Sequence, residues 1–508
     1  MKIEKFLLAG ILLTALVIRV WGVNYDLPYI YHPDEPIYIT IAQGIFKTGD
    51  LNPHFFNYPS LFFYINAIAY IPYYWAGKLA GVFQMPSNIE APLTIVMGVT
   101  RVQKPSFVLL GRMLTILFSI GTVGLTYKAG KQLTKQIFPA VIASFLMAIS
   151  LGNVTNSRYI TPDTYVVFFA SASLLASLKV YQRGGKWDYI IAGICIGLTA
   201  SSKYNGVLVI LPLILAHFSR YGRAVLRHSG IYLAFLFVIM AFVFTTPFSI
   251  IDFSSFLQDI TYEGHHYATG HVGMDGHSFV WYIKFMWQTG GIIYFLAFFE
   301  IIRGLISRSK EILILAIFPV VYFVFISSLA VRNDRTFLPL TPFLFVLASS
   351  FLSFGMTQIK NIPGKMLRYF SYAAIATLIC LMLFYPMNVT ISDTINLTQS
   401  DSREVSRKWI EDSIPAGSKI AVESYSPFVD PNKYAVKGVV QAIDYPTDWY
   451  VSNSYDYLVL SKLLYGRFFN EPTKYLKEIS EYNAIFSKFI LIKEFTSSND
   501  EILIYKIK

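Results

Sequence analysis

"SLFFYINAIAYIPYYWAGKLAGVF", residues 60–83, decides how this chain is threaded. A bilayer core about 30 Å thick takes about 20 apolar residues per helix, so the stretch is long enough to cross one. Asn66, Pro72 and Lys78 interrupt it, however, and its tyrosine-rich texture suits a membrane interface. If it spans, every downstream loop changes sides. We read it as lying on the outer surface.

The surroundings are those of a membrane protein. Of 508 residues, 54% are hydrophobic, 17% aromatic and only 14% charged, with a mean hydropathy of +0.49. Apolar runs recur from Phe6 to Val389, whereas residues 393–508 have mixed polarity and ordinary charge density. A net charge of +11 could suggest nucleic acid, but the lysines and arginines sit in short clusters between apolar runs, and membrane topology explains them better. No nucleic-acid partner is expected. Cys195 and Cys380 lie inside apolar runs, which leaves neither a disulfide framework nor a CxxC metal site. The opening "MKIEK" has a signal-like charge pattern without a small-residue cleavage site, so residues 6–23 are read as an uncleaved first span.

Following the positive clusters gives the orientation. Lys2 and Lys5 in the cytoplasm send residues 6–23 outward, and residue 24 onward emerges outside. With 60–83 on the surface, 106–127 runs inward to Lys128, Lys131 and Lys135. Spans then alternate at 137–154, 162–180, 189–202, 204–218, 231–251, 279–302, 312–330, 337–354 and 369–389. This puts Arg183, Lys186, Arg220, Arg223, Arg227, Arg303, Arg308, Lys310, Lys360, Lys365 and Arg368 on the cytoplasmic side. The expected fold class is a polytopic α-helical membrane protein of about eleven spans, several short enough to tilt around a cavity. Residues 1–392 form the membrane domain, with an outer loop at 24–105. Residues 393–508, where "SREVSRKWIEDS", "KIAVES", "DYLVLS", "EPTKYLKEISEY", "FSKFILIKEF" and "EILIYKIK" alternate helical and strand patterns, form a small extracytoplasmic α/β domain.

The same bookkeeping gathers the unusual polar residues on the outer face: Asp34 and Glu35 in "HPDEP", Arg158, Asp163, Lys203, and Arg332 and Arg335 in "RNDR". Each has a plainer reading. Asp34 or Glu35 could cap the helix that Pro36 starts. Asp163 could serve the dipole of the span it opens, and Lys203 could snorkel to the interface. In the expected loop 252–278, "YEGHHYATGHVGMDGH" supplies His265 and His266, with Glu263 and Asp275, as candidate ligands for a divalent metal, though in no recognised spacing. Solvated or substrate-contacting histidines are the competing reading.

"HPDEPIYI", "NYPSLFFYINAIAY", "SRYITPDTYVVFF", "GLTASSKYNG" and "RNDRTFLPLTPFLFVLAS", in this order, make the chain resemble the lipid-carrier-dependent glycosyltransferases of the GT-C superfamily. The branch it is most similar to contains the protein O-mannosyltransferases and the aminoarabinose transferases of lipid A. Two motifs depart from that branch: its "PPL" stands here as Pro59-Ser60-Leu61, and its aromatic-rich arginine motif as Arg335-Thr336-Phe337. The resemblance implies an inverting transfer of a sugar from a dolichyl- or undecaprenyl-phosphate carrier to an extracytoplasmic acceptor: a protein, lipid or glycan. Asp34 is the candidate base, Glu35 would orient a substrate or hold Asp34, and Asp163 would bind an acceptor or steady Arg158. Arg158, Lys203, Arg332 and Arg335 are the candidate ligands for the donor phosphate. The alternative is a polytopic transporter or lipid-linked sugar flippase, which would show inverted repeats and paired broken helices.

Overall fold

The computed structural model describes residues 2–89, 93–96, 99–274, 276–399, 401–496 and 500–507. Every segment expected to span contains helix. Among the described residues six helices are long and apolar enough to cross a bilayer: Pro105–Thr134, Asp163–Gln182, Tyr204–Arg227, Lys310–Ser327, Asp334–Ile359 and Lys365–Asn396. Ile137–Ala148 and Gly230–Thr245 are apolar but shorter. The first of these has 12 residues, about 18 Å at 1.5 Å each, and is continued by the short helix Leu151–Thr155. The opening helix, Lys2–Val20, carries Glu4 and Arg19 among its apolar residues.

One expected span is corrected. Residues 279–302 do not form a single straight helix; Ser278–Gly290 and Ile292–Ser307 meet at 113°. The corner is Gly291, whose φ of +33° suits a residue without a Cβ. Among the described residues this is one bent pair, without the second that an inverted-repeat transporter would place in its other half.

Arg112 bears on how residues 60–83 are threaded. It lies near the start of Pro105–Thr134, yet its Nη1 donates to the carbonyls of Val23 at 2.7 Å and Tyr25 at 3.3 Å, just past the opening helix. The exit of the first helix and the entry of this one therefore share an end of the bundle, and the intervening chain starts and finishes there. Within it, Leu61–Leu79 is two-faced. Phe62, Phe63 and Tyr70 pack with Tyr38, Ile39, Phe107 and Tyr165, while Ile68, Ile71, Trp75 and Leu79 are exposed, as an interfacial helix requires. Elsewhere the bundle closes on small residues. Gly193 and Gly197, one turn apart on Lys186–Ser202, face Gly230–Thr245 so closely that a Cβ on either would collide with the Ala234 or Val238 carbonyl.

Some connecting elements were not legible in the sequence, whereas the C-terminal α/β unit was. The expected histidine-rich loop is largely a helix, Phe253–Thr269. The first long loop contains a small antiparallel sheet in which Val99–Val102 lies between Tyr29–Ile30 and Leu93–Val96. Residues 402–507 form an α/β unit on a five-stranded sheet ordered Ala435–Val439, Lys419–Glu423, Tyr457–Ser461, Glu501–Lys506, Ile490–Thr496, the first three parallel and the last two antiparallel. Its edge strand Ala435–Val439 is short, buries only Val439 and contains a glycine, so it lacks a strand-like apolar pattern.

Candidate active site

Asp34 immediately precedes the helix Glu35–Thr48, but its side chain makes no capping hydrogen bond. Its Oδ2 instead accepts from Arg335 Nη1 at 2.7 Å, with the two side chains 29% and 25% exposed. The pair is thus reachable from outside. Glu35, the next residue, turns the other way. It is fully buried and accepts from Arg112 Nε at 2.8 Å, Arg112 Nη2 at 2.9 Å and the Ile160 backbone N–H at 3.1 Å. The Arg112 guanidinium also lies 4.1 Å from the Tyr25 ring centroid. Of the two roles expected of Glu35, these contacts favour the second: it anchors the first long loop from inside and holds Asp34's backbone in place. Arg112 carries a sequence signal of its own: a guanidinium inside the apolar run 106–127 needs a buried partner.

Asp163, at the head of Asp163–Gln182, accepts from Lys203 Nζ at 2.8 Å and from Thr161 Oγ1 at 2.9 Å. Lys203 occupies the break between Lys186–Ser202 and the turn Tyr204–Val209. That break needs Gly206, where a Cβ would press to 2.7 Å from the Thr199 carbonyl. Arg335 stands on the short helix Asp334–Phe337, capped by Asn333, whose Oδ1 accepts from Thr336 N at 2.8 Å. Arg335 feels the charge of Asp163 as well as that of Asp34, so two acids and two cations form one cluster at a single end of the bundle.

Aromatic side chains surround the cluster. His32 stacks on Tyr159 at 4.2 Å, and burial holds its imidazole below the ordinary value. Tyr58 lies 6.0 Å from Lys203 Nζ, and burial pushes its hydroxyl up to about 12, keeping it a proton donor. Beyond Lys203 opens a cavity of about 330 Å³ walled by Tyr58, Tyr204, Tyr267, Phe325 and Leu329.

The remaining expected site residues lie elsewhere. Arg158 does not face the cluster: it is buried and donates to the Ile18 carbonyl at 2.7 Å, to Asp393 at 3.3 Å and to Thr394, joining the opening helix to Lys365–Asn396. Arg332 donates to the Gly276 carbonyl at 2.8 Å and pins the turn after Phe253–Thr269. His265 and His266 stand on that helix, which buries none of its residues. Among the described residues no three His, Cys, Asp or Glu side chains converge as metal ligands, and Asp275 lies outside them. The acids on this helix have other work: Asp259 accepts from Phe56 N at 2.7 Å and Glu263 from Asn57 Nδ2 at 3.0 Å, strapping the helix to the loop that carries Tyr58.

With this geometry in view, the solved structures become informative. Over 98% of both chains, this one superposes on ArnT from Cupriavidus metallidurans bound to undecaprenyl phosphate with a TM-score of 0.55 at 13% identity. It also matches the Archaeoglobus fulgidus oligosaccharyltransferase at 0.55 and 12% identity, over 92% of this chain and 70% of that one. The fold is GT-C. In sequence, residues 102–258 match the family model for dolichyl-phosphate-mannose-protein mannosyltransferase. A stretch of 104 residues is 34% identical to dolichyl-phosphate-mannose–protein mannosyltransferase 1 of Candida albicans, covering 20% of this chain and 12% of that relative. The resemblance read from the motifs therefore holds, and the chain is a multi-pass membrane protein.

Proposed function

We propose that this chain is an inverting glycosyltransferase that moves a sugar from a polyprenyl-phosphate carrier to an extracytoplasmic acceptor. The observation that carries the reading is the accessible Asp34–Arg335 pair beside Asp163–Lys203, with Lys203 also lining a cavity with mostly apolar walls. The neighbours solved with undecaprenyl phosphate and with dolichol-phosphate support a lipid-phosphate donor.

The chemistry follows from the charges. A donor phosphate entering the cluster competes with the carboxylates for Arg335 and Lys203, which are suited to an anion as a planar fork and a point charge. As Arg335 turns to the phosphate, Asp34 is released next to the anomeric carbon. An acceptor hydroxyl then attacks that carbon from the face opposite the phosphate, the carbon–oxygen bond to the phosphate breaks, and the acceptor proton passes to Asp34. The phosphate leaves with the bonding electrons, stabilised by the two cations. In the resting state Arg335 occupies the Asp34 carboxylate, so proton abstraction waits for the donor to draw Arg335 away. The cavity accommodates the first isoprene units of the carrier, and His265 and His266 have no step in this scheme.

In this reading Asp34, Asp163 and the C-terminal unit face outward, while Lys131 and Arg223 face the cytoplasm, in accord with the positive clusters. Cysteines introduced at Lys131 and Lys433 should label from the inside and the outside respectively; external labelling at Lys131 would reverse the assignment. The test of function is Asp34→Asn, which keeps shape and removes the base. Transfer from the lipid-linked sugar should fall by roughly 10²-fold or more with unchanged melting. A variant that melts early yet transfers sugar normally would make "HPDEP" only a helix start.

A further inference from the structure

We infer that the C-terminal α/β unit belongs to the frame of the active site: Arg403 and Arg407 are positioning residues that hold the strand leading into Asp34. The inference rests on the reading of Asp34 as the base.

The strand Tyr29–Ile30 ends a few residues before Asp34 and has little ladder of its own, two pairings with Val99–Val102. Its side chains alternate. Ile30 turns into the core of the first long loop, whereas Tyr29 and Tyr31 turn toward the C-terminal unit. There the Arg407 guanidinium lies 4.5 Å from the Tyr29 ring centroid and that of Arg403 lies 4.4 Å from Tyr31. The spacing matches: residues four apart on a helix are separated by about 6 Å along its axis, and residues two apart on a strand by about 6.6 Å. The helix Ser402–Ser413 therefore lies along the strand, with two cations over two rings.

Both cations are held before they meet the rings. Asp401 binds Arg403 through Nε at 2.9 Å and Nη2 at 2.6 Å; Glu404 binds Arg407 through Nε at 2.8 Å and Nη2 at 2.6 Å, and Glu411 adds a third contact at 2.7 Å. Phe428, 5.2 Å from Tyr29, and the Arg101–Asp430 pair at 3.6 Å brace the same junction. From Tyr31 the chain passes through His32, stacked on Tyr159, to the carboxylate that meets Arg335. Loosening the two rings frees the chain just upstream of Asp34 while leaving the Lys203 cavity intact, so the loss should fall on turnover and not on donor binding.

The test uses the full chain and the lipid-linked sugar that the wild type turns over. Replacing Tyr29 and Tyr31 together with leucine should lower kcat about 10-fold through the misplaced base, leave the donor KM within about twofold, and raise backbone hydrogen exchange over residues 30–36. Tyr31→Phe, which keeps the ring over Arg403, should retain most of the rate. Because the effect runs through Asp34, the two leucines should cost nothing further in an Asp34→Asn background. Unchanged exchange, a loss seen only in KM, or an equal loss in that background would overturn the inference. If Asp34→Asn itself transfers normally, the base assignment fails instead, and the two failures are distinct.

Discussion

Replacing Arg112 with leucine leaves Glu35, a fully buried carboxylate, with one of its three donors, the Ile160 N–H at 3.1 Å. Breaking a buried pair by removing one partner costs about 3–5 kcal/mol. The Val23 and Tyr25 carbonyls lose their donor as well, at about 1 kcal/mol each. The sum is comparable to the whole stability of an ordinary domain, about 5–15 kcal/mol. The first long loop should come away from the bundle, and the purified variant should melt well below the wild type in the same detergent. Glu35→Gln is gentler, because the amide oxygen and the two carbonyls still accept from Arg112; it should melt slightly early and keep measurable transfer. Removing both charges, Glu35→Met with Arg112→Leu, should recover part of the loss, since a buried pair is often replaceable by apolar residues. Thermal unfolding measured beside transfer per folded molecule separates anchoring from chemistry. Wild-type melting of Arg112→Leu, or a Glu35→Gln variant that melts normally and transfers nothing, would refute the anchor and return Glu35 to the reaction.

Lys203→Ala should strip a cation from the donor phosphate and also leave Asp163 buried without its partner, weakening donor use more than Asp163→Asn does; equal donor titrations for wild type and Lys203→Ala would remove Lys203 from the site. In the C-terminal unit, burial raises the Glu423 carboxyl from 4.5 to about 7, so the folded state binds its proton more tightly than the unfolded state. Stability of the unit should therefore fall as pH rises from about 4.5 to about 7 and level off above, by up to roughly 3 kcal/mol. Asp26 and Asp500, each raised to about 6 chiefly by burial, act in the same sense. Melting followed against pH should show a shallower slope in Glu423→Gln, and an identical slope would count against the assignment. Gly197→Val should force Lys186–Ser202 away from Gly230–Thr245, lowering the melting temperature and displacing Lys203; a variant with unchanged melting and rate would mean the helices do not pack through that glycine.

Composition, run length and charge clusters by themselves determined the membrane class, the helical segments and the unit that follows them, because burial of apolar residues in lipid and backbone hydrogen bonding within a helix are local demands that a sequence must meet residue by residue. The five motifs pointed to one end of the bundle for the same reason: parity along the chain follows from counting crossings. Partner choice is not local. Nothing in "HPDEP" says that Asp34 meets Arg335 and Glu35 meets Arg112; adjacent residues at a helix start point in different directions, and only the packed bundle decided which carboxylate faced outward. Arg158, read as a phosphate ligand beside Asp163, turned instead toward Asp393, because the start of a span can face either the cavity or a neighbouring helix. The corner at Gly291, the helix at Phe253–Thr269 and the grip of Arg403 and Arg407 on Tyr31 and Tyr29 were likewise tertiary decisions. Each depends on a surface that residues far away in the chain create only once it has folded.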